Sequence, residues 1–221
     1  IKGILAISKT ILDTKFTVEC YRHIFFGDKI MVTDTDNVIV IDKKIFNTNM
    51  LLSKESLEIL SQFSANSSYQ LVDIEDSKTK VLVSHLLVHY NEIDADICLL
   101  DHTDYQYDEI IELFNVKLEA SIQIEKSKLN NALSMSKLFS YDPVLTFSSN
   151  GSALTIAQAE FNYKLSDKTL PDYSYCFTPD IAKKLSALND ETINIEFGGF
   201  SFIKSTNDII QAILSIEEAT V

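Results

Sequence analysis

Five glycines and three prolines in 221 residues leave this chain poor in the residues that punctuate loops, and no Ser/Gly-rich linker, low-complexity tract or long same-sign charge run stands in for them. Its organisation has to be read from hydrophobic periodicity. Cysteine is scarcer still. Cys20, Cys98 and Cys176 form no CxxC or other close spacing, which argues against a disulfide framework and fits buried thiols in a reducing compartment. A soluble cytoplasmic protein is the expectation. No apolar run approaches the ~20 residues needed to cross a bilayer, and Lys2, Lys9 and Asp13 interrupt the opening residues, so neither a membrane span nor a secretion signal is predicted. Arginine is represented by Arg22 alone. Without the planar guanidinium fork, bidentate readout of base edges is not expected.

Catalytic patterns are missing as well. There is no GxGxxG, P-loop or GxSxG. His85 and His89 stand four apart, but their setting (Val81 to His89) reads as strand and the glutamate of HExxH is lacking, so zinc is not expected. Asp34 and Asp36 open like a calcium loop. Val38, Ile39 and Ile45 then occupy the third-ligand, glycine and closing-glutamate places, which makes a turn between strands the better reading. Asp73, Glu75 and Asp76 read as strand-end and turn residues. The sequence predicts no catalytic residue, no metal and no cofactor.

What is present is apolar content, at 46%, and acid: the formal charge is −13. The first suffices for one large core or two smaller ones. The second opposes any uniform coating of nucleic acid, so the placement of the lysines matters more than their number. Val116, Leu118, Ala120, Ile122 and Ile124 alternate with Lys117, Glu119, Ser121 and Gln123, the period of a strand with one buried face. Similar β-rich stretches run over 21–45, 69–90, 143–165 and 192–203. Four segments have helical spacing instead: Ile1 to Lys15, Ser53 to Ala65, Glu125 to Phe139 and Pro179 to Asn189. Thr178 before Pro179 supplies an N-cap hydroxyl and a residue suited to the first helical position, with Ile181, Leu185 and Leu188 as the core stripe. Ser53 caps the second helix in the same way, with Leu57, Leu60 and Phe63 facing inward.

The two halves of the chain match each other. Leu5-Ala6-Ile7-Ser8-Lys9 answers Leu133-Ser134-Met135-Ser136-Lys137 at an offset of 128. Gly27 to Ile30 answers Gly151 to Leu154 at 124, and Leu57, Leu60 and Ser61 answer Ala182, Leu185 and Ser186 at 125. Collinear offsets of similar size predict a duplicated domain, with residues 1–100 and 116–221 as the two copies and 101–115 as connector. That connector, DHTDYQYDEIIELFN, is acidic yet carries Tyr105, Tyr107, Ile110, Ile111 and Phe114, and is expected to pack rather than hang in solvent.

Charge is segregated by element. The four helical segments hold Lys2, Lys9, Lys15, Lys54, Lys126, Lys128, Lys137, Lys183 and Lys184 against five acidic residues, a net of +4 that leaves −17 for the rest of the chain. An amphipathic surface helix exposes lysine as a matter of course. That alone does not account for helices that are collectively basic in so acidic a chain.

These features give the chain its likeness to a family. The helix carrying Leu5 to Lys9 leads into Ile24-Phe25-Phe26-Gly27-Asp28-Lys29-Ile30, and Ser53 to Phe63 leads into Tyr69 to Ile74. Their second-half equivalents are Leu129 to Phe139 and Cys176-Phe177-Thr178-Pro179-Asp180-Ile181 to Glu196. In this pattern the whole chain resembles DNA sliding clamps of the two-domain type, the group that includes proliferating-cell nuclear antigen and the clamps of large phages. The resemblance implies an α+β clamp fold: two similar domains, each with antiparallel sheets outside and two short helices on the inner face. It implies a non-enzymatic processivity factor that encircles duplex DNA without sequence specificity. The nine helical lysines would face the DNA, and three copies would close a six-domain ring. Partners would be DNA polymerase and a clamp loader, docking near Asp101 to Asn115. The alternatives are a monomeric open processivity factor, or an acidic interaction or DNA-mimicking protein.

Overall fold

The computed structural model describes residues 1–12, 23–63, 66–103, 105–139, 145–149, 154–158, 161–168, 173–189 and 191–218. The fold is α+β, as the sequence pattern predicts, and its sheets are antiparallel. Along the chain run α1 (Lys2–Ser8), β1 (His23–Phe26), β2 (Ile30–Thr33), β3 (Asn37–Ile41), β4 (Met50–Ser53), α2 (Lys54–Leu60), β5 (Ser68–Glu75), β6 (Leu82–Tyr90) and β7 (Ile93–Cys98). There follow α3 (Tyr107–Glu112), β8 (Ala120–Glu125), α4 (Lys126–Phe139), β9 (Leu145–Ser149), β10 (Leu154–Gln158), β11 (Phe161–Ser166) and β12 (Tyr173–Phe177). The last elements are α5 (Pro179–Leu188), β13 (Thr192–Phe197), β14 (Phe202–Thr206), β15 (Ile210–Ser215) and β16 (Glu217–Glu218).

The chain divides into two compact units. The first comprises Ile1–Thr35 and Asp42–Gln106, the second Asp36–Ile41 and Tyr107–Val221. In the first, β1 pairs with both β2 and β4, and β5, β6 and β7 form a separate sheet. In the second, one sheet has the order β11-β10-β9-β12-β16 and the other contains β3-β15-β14-β13-β8. The motif strand, helix, three strands therefore recurs as β4-α2-β5-β6-β7, β8-α4-β9-β10-β11 and β12-α5-β13-β14-β15.

The internal repeat extends to single hydrogen bonds. Ser8 and Ser136, 128 positions apart, are both fully buried, and each hydroxyl donates to the carbonyl three residues earlier, Leu5 at 2.9 Å and Leu133 at 3.0 Å. Ser53 and Thr178, 125 apart, both cap helices by accepting from the amide three residues on, Ser56 at 3.0 Å and Ile181 at 3.3 Å. Such a cap satisfies one of the four amides a helix start leaves without an internal partner. The matching turn at Gly151 to Ala153 lies outside the described residues.

Helix packing follows the apolar stripes. Ile181, Leu185 and Leu188 of α5 and Leu129, Ala132 and Leu133 of α4 are buried, and all but Leu188 belong to a core with Ile122, Ile124, Ile193, Ile195 and Phe197. Each fully buried Leu or Ile stabilises by roughly 1.5–3 kcal/mol. Scarcity of glycine shows at the hairpins. Thr35, Lys80 and Asn91 all have positive φ, a conformation that costs a side-chain-bearing residue roughly 1–2 kcal/mol. The β13–β14 turn instead places glycine, Gly198 and Gly199, at positive φ, and a Cβ at Gly199 would come within 3.2 Å of the Glu119 carboxylate.

Several expectations need correction. The first two helices are shorter than their periodicity suggested, because turns replace helix after Ser8 and Leu60. Strands β4, β7, β12 and β15 fall outside the stretches read as β-rich, and the connector contains a helix, α3, followed by a 3-10 turn at Leu113–Asn115. Cys98 is exposed rather than buried. It sits on the same sheet face as His85, its register partner, while the alternate residue Ile97 points to the core.

Candidate nucleic-acid interface

In each unit two helices pack side by side and turn their polar sides outward. In the first, α1 lies beside α2, and the Lys9 ammonium reaches Glu58 at 3.2 Å. In the second, α4 lies beside α5, joined by the Ser186 hydroxyl donating to Asn130 Oδ1 at 2.8 Å. The strands behind bury the apolar stripes, so the side chains left to solvent are those at the remaining positions of the turn.

The nine lysines are not equivalent. Lys2, Lys137 and Lys183 are exposed and make no ion pair among the described residues. Lys9 is exposed but paired with Glu58, and Lys128, half-buried, is 3.3 Å from Glu125. Lys54 is half-buried at the start of α2. Lys126, also half-buried, donates to the Asn189 carbonyl at 2.8 Å and so ties the start of α4 to the end of α5. Lys184 is only 5% exposed, with Asp180 one turn earlier holding its ammonium at 2.9 Å. Lys15 lies outside the described residues. The helical positive charge available to a polyanion thus rests chiefly on Lys2, Lys137 and Lys183, with Lys9 and Lys128 screened by carboxylates. At the start of α2, Glu55 is held below the usual carboxylate range by its backbone amide and by the Ser53 hydroxyl.

Of the apolar residues in 101–115, Tyr105 is buried, whereas Tyr107, Ile110, Ile111 and Phe114 are half-buried. Tyr105 is buried and stacks on Phe25, ring centroids 5.0 Å apart and nearly parallel. Farther on, Lys204 of β14, itself 6% exposed, donates to the carbonyls of Phe114 (3.0 Å) and Val116. An ammonium placed on the last carbonyls of a helical segment meets the negative end of its dipole. Sequence reading missed this anchor, because nothing at Lys204 distinguishes it from a solvent lysine.

His85 and His89 lie in β6, each facing a carboxylate of β7: His85 Nδ1 is 2.7 Å from Asp96 Oδ1, and His89 Nδ1 contacts Asp94. Asp34 and Asp36 sit at the turn between β2 and β3. Asp73 accepts from the Ser84 hydroxyl across the β5–β6 pair, and Asp76 accepts from the amides of Lys78 and Thr79 to shape the hairpin. These carboxylates are engaged in local structure. Among the described residues no helix is long and apolar enough to cross a membrane.

No protein-family model matches the sequence, and no curated protein matches it. Solved structures do. The beta chain of DNA polymerase III from Streptococcus pneumoniae is similar with a TM-score of 0.72 at 12% identity, over 100% of this chain and 63% of that one. The DNA polymerase sliding clamp from Bacillus subtilis gives 0.70 at 12%, over 99% and 63%. The DNA polymerase III beta subunit from Thermotoga maritima gives 0.68 at 9%, over 99% and 62%. The chain has the sliding-clamp fold, and it spans less than two thirds of the length of these clamps.

Proposed function

We propose that the protein is a DNA polymerase processivity factor, a sliding clamp without catalytic activity, that encircles duplex DNA and tethers a polymerase. The observation that carries the reading is the pair of helix pairs, each presenting lysine outward from a sliding-clamp fold whose remaining sequence is acidic. Lys2, Lys137 and Lys183 make the principal phosphate contacts, Lys9, Lys54, Lys126 and Lys128 add a weaker field, and Lys184 acts on the DNA only through that field. Lys15 completes the set. Weak, exchangeable contacts from lysine suit sliding, since retention by a closed ring is topological and does not require affinity. Polymerase and clamp loader dock near Asp101 to Asn115, and the clamp works in the compartment that holds the replicating DNA.

Ring closure is the finer part of the proposal. Among the sheet edges that carry no partner strand among the described residues are that of β7 in the first unit and that of β11 in the second. β15, which follows α5 as β7 follows α2, has its outer edge covered by β3, from Ile210↔Ile41 to Leu214↔Asn37. The same pairing between copies joins β7 of one to β11 of the next. Asp94 and Asp96 are exposed on β7 and Lys164 on β11, so the two edges differ in charge. A heterologous contact of this kind closes when the rotation permits, and it covers edges that would otherwise template aggregation. Three two-domain copies complete six domains.

The test is solution mass by light scattering across a concentration series, followed by retention on circular against linear DNA at raised salt. A species of three times 24.9 kDa that survives salt only on circular DNA is expected. A monomer at every concentration, lost equally from both DNAs, overturns the ring.

A further inference from the structure

The two helix pairs are built on one plan and charged differently. Lys9 at the end of α1 and Lys137 in the last turn of α4 are equivalent positions, 128 apart, each one residue after the buried serine that the repeat shares. On the neighbouring helices, the offset of 125 that matches Leu57, Leu60 and Ser61 to Ala182, Leu185 and Ser186 also matches Glu58 to Lys183. Both of these point outward: Leu57 and Ala182 just before them are 0% exposed, while Glu58 and Lys183 are exposed. In the first unit, then, the two positions hold a lysine and a glutamate, joined at 3.2 Å. In the second they hold two lysines, neither with an ion pair among the described residues. An exposed ion pair is held weakly, so a phosphate can draw Lys9 aside, but the Glu58 carboxylate stays within a screening length of it and repels the same phosphate.

We propose that each chain grips the DNA backbone chiefly through the helix pair of its second unit, and that Glu58 holds the pair of the first unit electrostatically closed. Lys2 is left as the first unit's exposed lysine without an ion pair among the described residues. The inference rests on the processivity reading and assigns Glu58 a part in it, that of limiting the contact. In a ring of three copies the strong grip recurs once per chain rather than once per domain. Fewer phosphate contacts then have to exchange at each step along the duplex, which favours sliding while the closed ring supplies retention.

The experiment measures binding of a short duplex by the full chain across a salt series. Glu58→Gln releases Lys9 and is expected to steepen the slope of log affinity against log salt by up to about 0.9 per chain. Glu58→Lys gives the first unit the charge pattern of the second and should steepen it by up to about 1.8. Lys183→Glu gives the second unit the pattern of the first and should flatten it by up to about 1.8. Asp208→Lys, in the exposed turn between β14 and β15, changes the net charge as much as Glu58→Lys and is expected to leave the slope unaltered. If Glu58 only ties α1 to α2, its replacement lowers the thermal midpoint and brings no gain in DNA binding, and the proposal is overturned. It is overturned equally if Asp208→Lys steepens the slope as much as Glu58→Lys does. A parent chain whose duplex binding does not respond to salt overturns the processivity reading and this inference with it; a parent that does respond, with Glu58 variants that match it, overturns this inference alone.

Discussion

Replacing Lys2, Lys137 and Lys183 together by glutamate discriminates a DNA-facing helix surface from a merely soluble one. The three are exposed, lie in the helices, and make no ion pair among the described residues. Each change therefore alters the field at the surface without leaving a buried carboxylate uncovered. Every phosphate neutralised by lysine contributes about −0.9 to the slope of log affinity against log salt. Loss of all three contacts lowers the slope's magnitude by up to about 2.7 per chain and weakens binding at low salt. The matched control is Lys43, Lys78 and Lys117 to glutamate, three exposed lysines outside the helices that give the same change in net charge. The assay is binding of a short duplex, which a ring can thread and leave, across a salt series. A reduced slope for the helical set and an unaltered slope for the control is the expected outcome. Equal effects from both sets would show that net charge alone governs binding, and the helices would lose the role given to them here.

Two other perturbations follow from the helix starts and the carboxylates. Ser53→Ala and Thr178→Ala each remove a side-chain cap and are expected to cost about 1 kcal/mol in urea denaturation, while Ser53→Thr keeps most of it. Glu55 and Asp76 are both held below the ordinary carboxylate value, Glu55 by its backbone amide and the Ser53 hydroxyl, Asp76 by the amides of Thr79 and Lys78 and by the Thr79 hydroxyl. Their contribution to stability is complete above the unfolded value of about 4 and is lost as pH falls through the lower folded value. The thermal midpoint should drop in that acidic window. Glu55→Gln should lower it more at neutral pH than in acid, and an equal loss at both would refute the assignment.

The sequence by itself determined a good deal. Alternation read over Val116 to Ile124 marked a strand with one buried face, which the structure forms from Ala120 to Glu125 as β8; the hydroxyls of Ser53 and Thr178 marked two helix starts, and collinear offsets near 125 revealed the repeat that Ser8 and Ser136 make with one hydrogen bond each. These are local features, set by side-chain period and by what a helix end lacks. Met50–Ser53 escaped because a stretch buried along most of its length has no polar face to betray its period. Tertiary structure alone decided which strand pairs with which. The pairing of Asn37–Ile41 with Ile210–Ser215 joins segments about 170 positions apart through backbone groups that every residue carries. It also decided the fate of each lysine. Lys2, Lys126, Lys184 and Lys204 are one residue type in the sequence; packing left the first in solvent, set the second and fourth on carbonyls, and buried the third against Asp180.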